Sequence, residues 1–388
     1  MNKFLKYLAC YIFYPFSFLF YRKKDKMAFG CPRNRFEGNP KYLFIEYAAK
    51  GLKVCWISAD RSTVRQIRGK GLPAEYLFSP KGLRWALTSK WWLVGAYSSD
   101  ILFCLSGGAR VFNLWHGVGL KLCEFNITSG PLADRYVKKT AKERFYHPEA
   151  FRRPDLMLTA SPFQTAMFAP AFRICKSQCI EQGYPRAQIL GWDESTRSAF
   201  IDRYEEPWVK GLIDSLKTFK SVFVYMPTWR DSGASAIDAI DLDRLNCALE
   251  ESNCALVIKD HFNNKGEKTM RTGNIFKLSP ELDIYPVLPY TNTLITDYSS
   301  VLYEYILMED KKVILYLYDY NEYTHERDFF YPFFENVLGD TAYNMDELLA
   351  LIKSGANPLD SDRRRALIDK FWGDHAFEYD FDNYLHIQ

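Results

Sequence analysis

Short apolar runs alternate with helix-length segments through most of this chain, and that alternation predicts parallel sheets flanked by helices. In the first half the expected strands are Lys53 to Ser58, Ile101 to Leu105, Val111 to Trp115 and Leu156 to Ala160. In the second half they are Val222 to Met226, Ala255 to Lys259, Thr293 to Thr296 and Val313 to Leu317. A polar stretch from Gly191 to Lys220 separates the two sets and is expected to carry a helix and an inter-domain linker. With 388 residues, 48% of them hydrophobic, there is material for two cores. The expected fold class is therefore α/β, two Rossmann-like doubly wound domains facing a cleft, with ligands outside the carboxyl ends of the strands. The expected boundaries are residues 26–195 for the first domain and 196–365 for the second, with 366–388 a tail crossing back to the first.

Residues 1–25 stand apart in composition. From Phe4 to Tyr21 the polar interruptions, tyrosines aside, are Lys6 and Ser17, and Arg22-Lys23-Lys24 follows at once. The run falls short of the roughly 20 apolar residues that span a bilayer, and its Tyr and Phe content suits the headgroup boundary. It reads as a membrane-associating helix, peripheral or monotopic, with the basic triplet reaching anionic lipid. The competing reading is a helix packed on the protein's own core. A net charge of +3 gives no reason to expect nucleic acid as a partner. Nine cysteines without a metal-ligand spacing suit a reducing compartment.

Five segments at or near predicted strand ends carry chemistry. Thr296-Asp297-Tyr298-Ser299-Ser300 lies where a strand hands over to a helix, and its hydroxyls beside free backbone N–H groups can cradle a phosphate. Plain helix capping explains the same residues. Trp115-His116-Gly117-Val118-Gly119-Leu120-Lys121 sets an imidazole able to take a proton near neutral pH beside glycines that let a substrate approach, with Lys121 to meet a phosphate. Pro227-Thr228-Trp229-Arg230 ends a strand, so Thr228 and Arg230 project from it, the guanidinium suited to paired phosphate oxygens. Lys259-Asp260-His261 adds a cation and a second imidazole. Gly183-Tyr184-Pro185-Arg186 is a turn from which Arg186 can reach back.

Taken in chain order, these segments resemble the CDP-glycerol glycerophosphotransferases, the teichoic acid primases and polymerases. The similarity runs from about Asn113 to about Arg327. It implies a glycosyltransferase-B-like architecture, a CDP-activated polyol phosphate donor held by the second domain, and a lipid-linked glycan acceptor at the cytoplasmic face of the membrane. By position, His116 matches the family's proposed catalytic base and His261 its second active-site histidine. Thr228, Arg230, Asp297, Ser299 and Ser300 match donor-binding positions. Two departures stand out: Phe262 replaces the proline usual after the second histidine, and the pattern beyond Arg327 is echoed only by Phe329-Phe330-Tyr331-Pro332 and Leu338-Gly339.

The expected reaction is attack of an acceptor hydroxyl on the phosphorus bearing the polyol, with CMP leaving. His116 would take the proton while Arg230, Lys259, His261 and the Ser299/Ser300 turn meet the charge. No protein-held metal or other cofactor is expected, although magnesium carried on the pyrophosphate stays open. The pairs Asp241/Asp243 and Asp380/Asp382 read as capping and surface residues. Rival readings are ribitol phosphate transfer, a nucleotide-sugar transferase of the same fold, and a non-catalytic membrane-bound polymer-binding protein.

Overall fold

The computed structural model describes residues 3–130, 132–228, 237, 240–259, 269–279, 282–326 and 328–385. The chain divides into two compact units. The first comprises Met1–His116, Cys123–Arg186 and His375–Gln388, and the second Gly117–Leu122 and Ala187–Asp374.

In the first unit the strands are β1 (Lys23–Gly30), β2 (Val54–Ser58), β3 (Ala74–Tyr76), β4 (Ser89–Val94), β5 (Arg110–Asn113), β6 (Leu156–Thr159) and β7 (Cys179–Glu181). Their order is β3-β2-β1-β4-β5-β6-β7, with every pairing parallel. The chain winds outward from β1 to β3, then returns and winds the other way from β4, so the strand order reverses between β1 and β4. Helices begin where side chains satisfy their free N–H groups: Asp60 caps Arg61–Gly69 and Ser161 caps Pro162–Phe172. Trp56 and Trp92 fill the centre.

The second unit contains β8 (Ser221–Tyr225), β9 (Cys254–Lys259), β10 (Thr269–Thr272), β11 (Ile275–Leu278), β12 (Thr293–Thr296), β13 (Lys312–Tyr316) and β14 (Asp340–Ala342). They lie in the order β10-β11-β9-β8-β12-β13-β14, parallel except for the β10/β11 hairpin. Here the order reverses between β8 and β12. The helix Ser361–Trp372 packs on this unit, with Trp372 Nε1 donating to Tyr303 O at 2.9 Å and Arg364 Nε to Ile306 O at 2.7 Å.

The segment from His375 lies on the first unit. Gly183 N donates to Glu378 O at 2.9 Å, Tyr47 Oη to Asp382 at 3.1 Å and Trp91 Nε1 to Leu385 O at 3.1 Å. This packing is why residue 183 is glycine: a Cβ there would sit 2.3 Å from His375 O.

Two expectations need correction. Ile101 to Leu105 is not a strand; Phe103–Leu105 is a single 3₁₀ turn whose Phe103 ring stacks on Tyr14 at 4.6 Å. An apolar run of five marks burial, and burial against a helix leaves the same sequence trace as burial in a sheet. Nor does the whole basic triplet face outward. Arg22 is 8% exposed and its guanidinium donates to the carbonyls of Ala86 and Ser89 at the end of the helix Pro80–Thr88 and of Leu105 and Gly107 at and just past the end of the 3₁₀ turn, closing two segment ends with one planar fork. Lys23 and Lys24 are exposed at the start of β1.

The N-terminal helix spans Lys3–Phe16. One side rests on the first unit, where Phe4 and Tyr11 stack on Phe145. The other side exposes Leu5, Leu8, Ile12, Phe13 and Phe16, and Phe18 to Tyr21 continue this exposed apolar surface. Among the described residues no helix is long and apolar enough to cross a membrane.

Candidate active site

In the first unit, β5 ends at Asn113 because Trp115 takes a left-handed backbone (φ 50°) that no ladder accommodates. Asn113 holds the exit from the strand: its Oδ1 accepts from Trp115 N at 2.9 Å and its Nδ2 donates to Ala96 O at 2.7 Å. Asn39, fully buried in the helix Gly38–Ala49, donates through Nδ2 to Leu114 O and Trp115 O, both at 3.0 Å, and accepts from Arg186 N at 3.2 Å. Arg186 then donates from Nη2 to His116 O at 2.6 Å. The imidazole of His116 is exposed at the apex, its ring centroid 4.0 Å from that of Trp115, which is itself wedged against Phe168 and Phe172.

Asp100 supports the same region from beneath. Its Oδ2 accepts from Ala96 N at 2.8 Å and Tyr97 N at 3.3 Å, just past β4. Burial outweighs these donors and pushes its pKa up to about 7. Gly183 and Arg186 thus belong to this unit, and Tyr184 between them is buried with its hydroxyl on Gln164 Oε1 at 2.8 Å.

In the second unit the described candidates Lys259, Thr228, Asp297, Ser299 and Ser300 lie at the carboxyl ends of three adjacent strands, β9, β8 and β12. Lys259 is the last residue of β9. Past β8, Thr228 N donates to Asp297 Oδ1 at 2.8 Å, and the same oxygen accepts Tyr298 N at 2.6 Å. Thr296 Oγ1 donates to Met226 O at 2.8 Å. Asp297, 1% exposed, therefore acts as a bracket joining the β8 and β12 ends, at the point where the strand order reverses. Doubly wound sheets present their ligand crevice at such a point.

Ser299 and Ser300 follow, both partly exposed, and the Ser300 side chain makes no capping bond to the helix Val301–Tyr305. Capping thus does not account for the Ser300 hydroxyl. The helix has only five residues, so its dipole is small, and an anion here would rely on N–H and hydroxyl groups. Tyr298 anchors the motif: its ring stacks on Tyr323 at 3.9 Å and its hydroxyl reaches Asp319 Oδ1 at 3.1 Å. Lys121 joins this cluster, bridged to Phe329 through the backbone and with Nζ 5.8 Å from the Tyr323 ring centre. Arg230 and His261 lie outside the described residues.

Sequence reasoning missed Asn39 and Asp100. Asn39 lies just after a Gly in a segment with no other chemical signal, and the carbonyls it grips are 75 and 76 residues away. The two Asp pairs have local partners: Asp241 caps Leu242–Glu251, and Asp380 Oδ1 accepts from Asp382 N at 2.9 Å.

The family profile described as CDP-glycerol:poly(glycerophosphate) glycerophosphotransferase matches residues 12–377. The teichoic acid ribitol-phosphate primase of Bacillus spizizenii is 28% identical over 249 residues, covering 62% of this chain and 60% of the primase. The poly(ribitol-phosphate) polymerase of the same organism is 26% identical, and this chain spans 38% of its length. The teichoic acid glycerol-phosphate transferase of Staphylococcus aureus is 23% identical over 82% of this chain and 80% of its own. The wall teichoic acid polymerase TagF, in a variant soaked with CDPG, superposes with a TM-score of 0.71 at 19% identity, covering 94% of this chain and 89% of that one. That likeness is one of fold.

Proposed function

Because the chain belongs to the CDP-glycerol:poly(glycerophosphate) glycerophosphotransferase family, we propose that it moves glycerol phosphate from CDP-glycerol to a hydroxyl of a lipid-linked glycan or polyol-phosphate chain in teichoic acid or related surface-polymer synthesis. The observation that carries this reading is the convergence of Thr228, Asp297, Ser299 and Ser300 on the reversal point of the second sheet. A diphosphate needs many donors and no covalent partner, which is what backbone N–H groups and hydroxyls at strand ends offer.

In the proposed step, the acceptor oxygen bonds to the phosphorus that carries glycerol and the bond from that phosphorus to the CMP oxygen breaks. A phosphodiester forms and CMP leaves. His116 takes the proton of the attacking hydroxyl. Ser299, Ser300, Thr228, Lys121 and Lys259 meet the diphosphate charge, and Arg230 and His261 are assigned to the same task by motif alone. Magnesium would arrive with the diphosphate and needs no carboxylate from the chain. The acceptor's lipid would place the protein peripherally at the cytoplasmic membrane face, with the exposed apolar side of Lys3–Phe16 in the headgroup layer.

Ribitol phosphate is the second reading, favoured by the 28% identity to a ribitol-phosphate primase. Purified protein given CDP-glycerol, CDP-ribitol or a UDP-sugar with an acceptor should release CMP fastest from CDP-glycerol, and the product should gain the mass of one glycerol phosphate. Release from CDP-ribitol alone would replace the donor; UDP from the sugar donor, or no nucleotide from any of the three, would end the reading.

A further inference from the structure

A cavity of about 570 Å³ opens on the first unit beside the N-terminal helix, and its lining does not include His116. Four cations line it, Lys139, Arg144, Arg152 and Arg173, together with Tyr11 and Tyr14 of the helix. None of the four forms an ion pair among the described residues. Their company is aromatic or carbonyl. Arg173 lies 3.7 Å from the ring centre of Phe125, and Arg144 lies 5.5 Å from that of Phe151. Arg152 donates to Ser106 O at 3.1 Å and Ala109 O at 2.8 Å. Arg173 donates from Nη2 to Phe151 O, while its Nε is buried without a hydrogen-bond partner. Of the carboxylates in this region, Glu143 pairs with Arg135, Asp155 faces Arg110, Glu124 is buried against the Tyr97 hydroxyl, and Glu149, next to the lining Pro148, lies 3.5 Å from His147 Nδ1.

Aromatic faces and carbonyl oxygens orient a guanidinium without cancelling its charge, so four cations around one opening, set against the single carboxylate of Glu149, leave a net positive hollow. Tyr11 forms part of its rim and donates its hydroxyl to Arg144 O at 2.8 Å. That rim is continuous with the exposed apolar row that ends in Leu19 and Tyr21, each 79% exposed. A cationic hollow bordered by apolar side chains complements an anion carried on an apolar body.

We propose that this cavity binds the phosphate headgroup of an anionic bilayer lipid while the adjoining apolar row enters the interface. The site deepens the membrane part of the proposed function but does not depend on the transfer reaction.

The test is binding to vesicles of phosphatidylcholine alone and of phosphatidylcholine enriched in phosphatidylglycerol, with no donor present. Lys139 and Arg144 are exposed, so their reversal leaves the core intact. The double variant Lys139→Glu/Arg144→Glu should lose roughly twentyfold or more in affinity for the anionic vesicles. Arg65→Glu/Lys81→Glu, which makes the same change in net charge at exposed positions elsewhere on this unit, should bind within about twofold of the parent. Equal loss in both doubles, or retained binding in the first, would overturn the proposal. A third arm adds soluble glycerol phosphate without vesicles: weak binding supports the headgroup source, and binding as tight as to vesicles would make the cavity a free-phosphate site and overturn it. CMP release to a soluble acceptor is read separately, so failure here and failure of the transfer reading are distinguishable.

Discussion

His116 is presented by a turn that other residues hold, and this separates chemistry from positioning. Replacing His116 with Ala should lower kcat by roughly two to four orders of magnitude while donor affinity, read by calorimetry, stays within about threefold. Near-normal turnover would remove it from the proton transfer. Asn39→Ala strips the amide from two carbonyls and one N–H, at a stability cost of about 1–3 kcal/mol. Its expected signature is a lower kcat with an unchanged donor KM, together with a lower Tm. Asp100 gives the region a pH dependence. Its pKa is about 7 when folded and near 4 when unfolded, so the native state holds the extra proton between those values. Its contribution to stability is therefore full below about pH 4 and is lost as pH rises to 7, at up to about 1.4 kcal/mol per pH unit. Urea titrations across that range should show Asp100→Asn to be flatter than the parent; parallel curves would refute the assignment.

Among the elements, the proposed donor site lies at strand ends that Asp297 bolts together. Asp297→Ala should cost about 2–4 kcal/mol, since a buried carboxylate bonded to two N–H groups is lost, and donor KM should rise with it. The opposite case is Gly183, read from the sequence as part of a turn, whose surroundings show a packing role. Gly183→Ala would press a methyl into His375 O, destabilising the first unit by about 1–3 kcal/mol and exposing the His375–Leu385 segment to protease, with donor affinity untouched.

Across the whole molecule, the doubly wound pattern was readable because strands buried on both faces leave unbroken apolar runs, as in Val54–Ser58 and Cys254–Lys259. The outer strands Ala74–Tyr76, Cys179–Glu181 and Asp340–Ala342 have three residues each, too few for a period to register. β1 was hidden by its opening Lys-Lys-Asp-Lys, which reads as a solvated link until Met27. That the candidate residues lie at strand ends was legible because Pro, Gly and Ser mark such ends chemically. Asn39, Asp100 and the bracketing role of Asp297 were not, since each acts through backbone groups that only the fold brings near.

The most direct test of the central claim is a crystal structure of the His116→Ala variant with CDP-glycerol bound. The expected density places the diphosphate within hydrogen-bond reach of the Ser299 and Ser300 hydroxyls and N–H groups, at the reversal point between β8 and β12. A diphosphate seated beyond β13 or β14, with those serines facing solvent, would contradict the account.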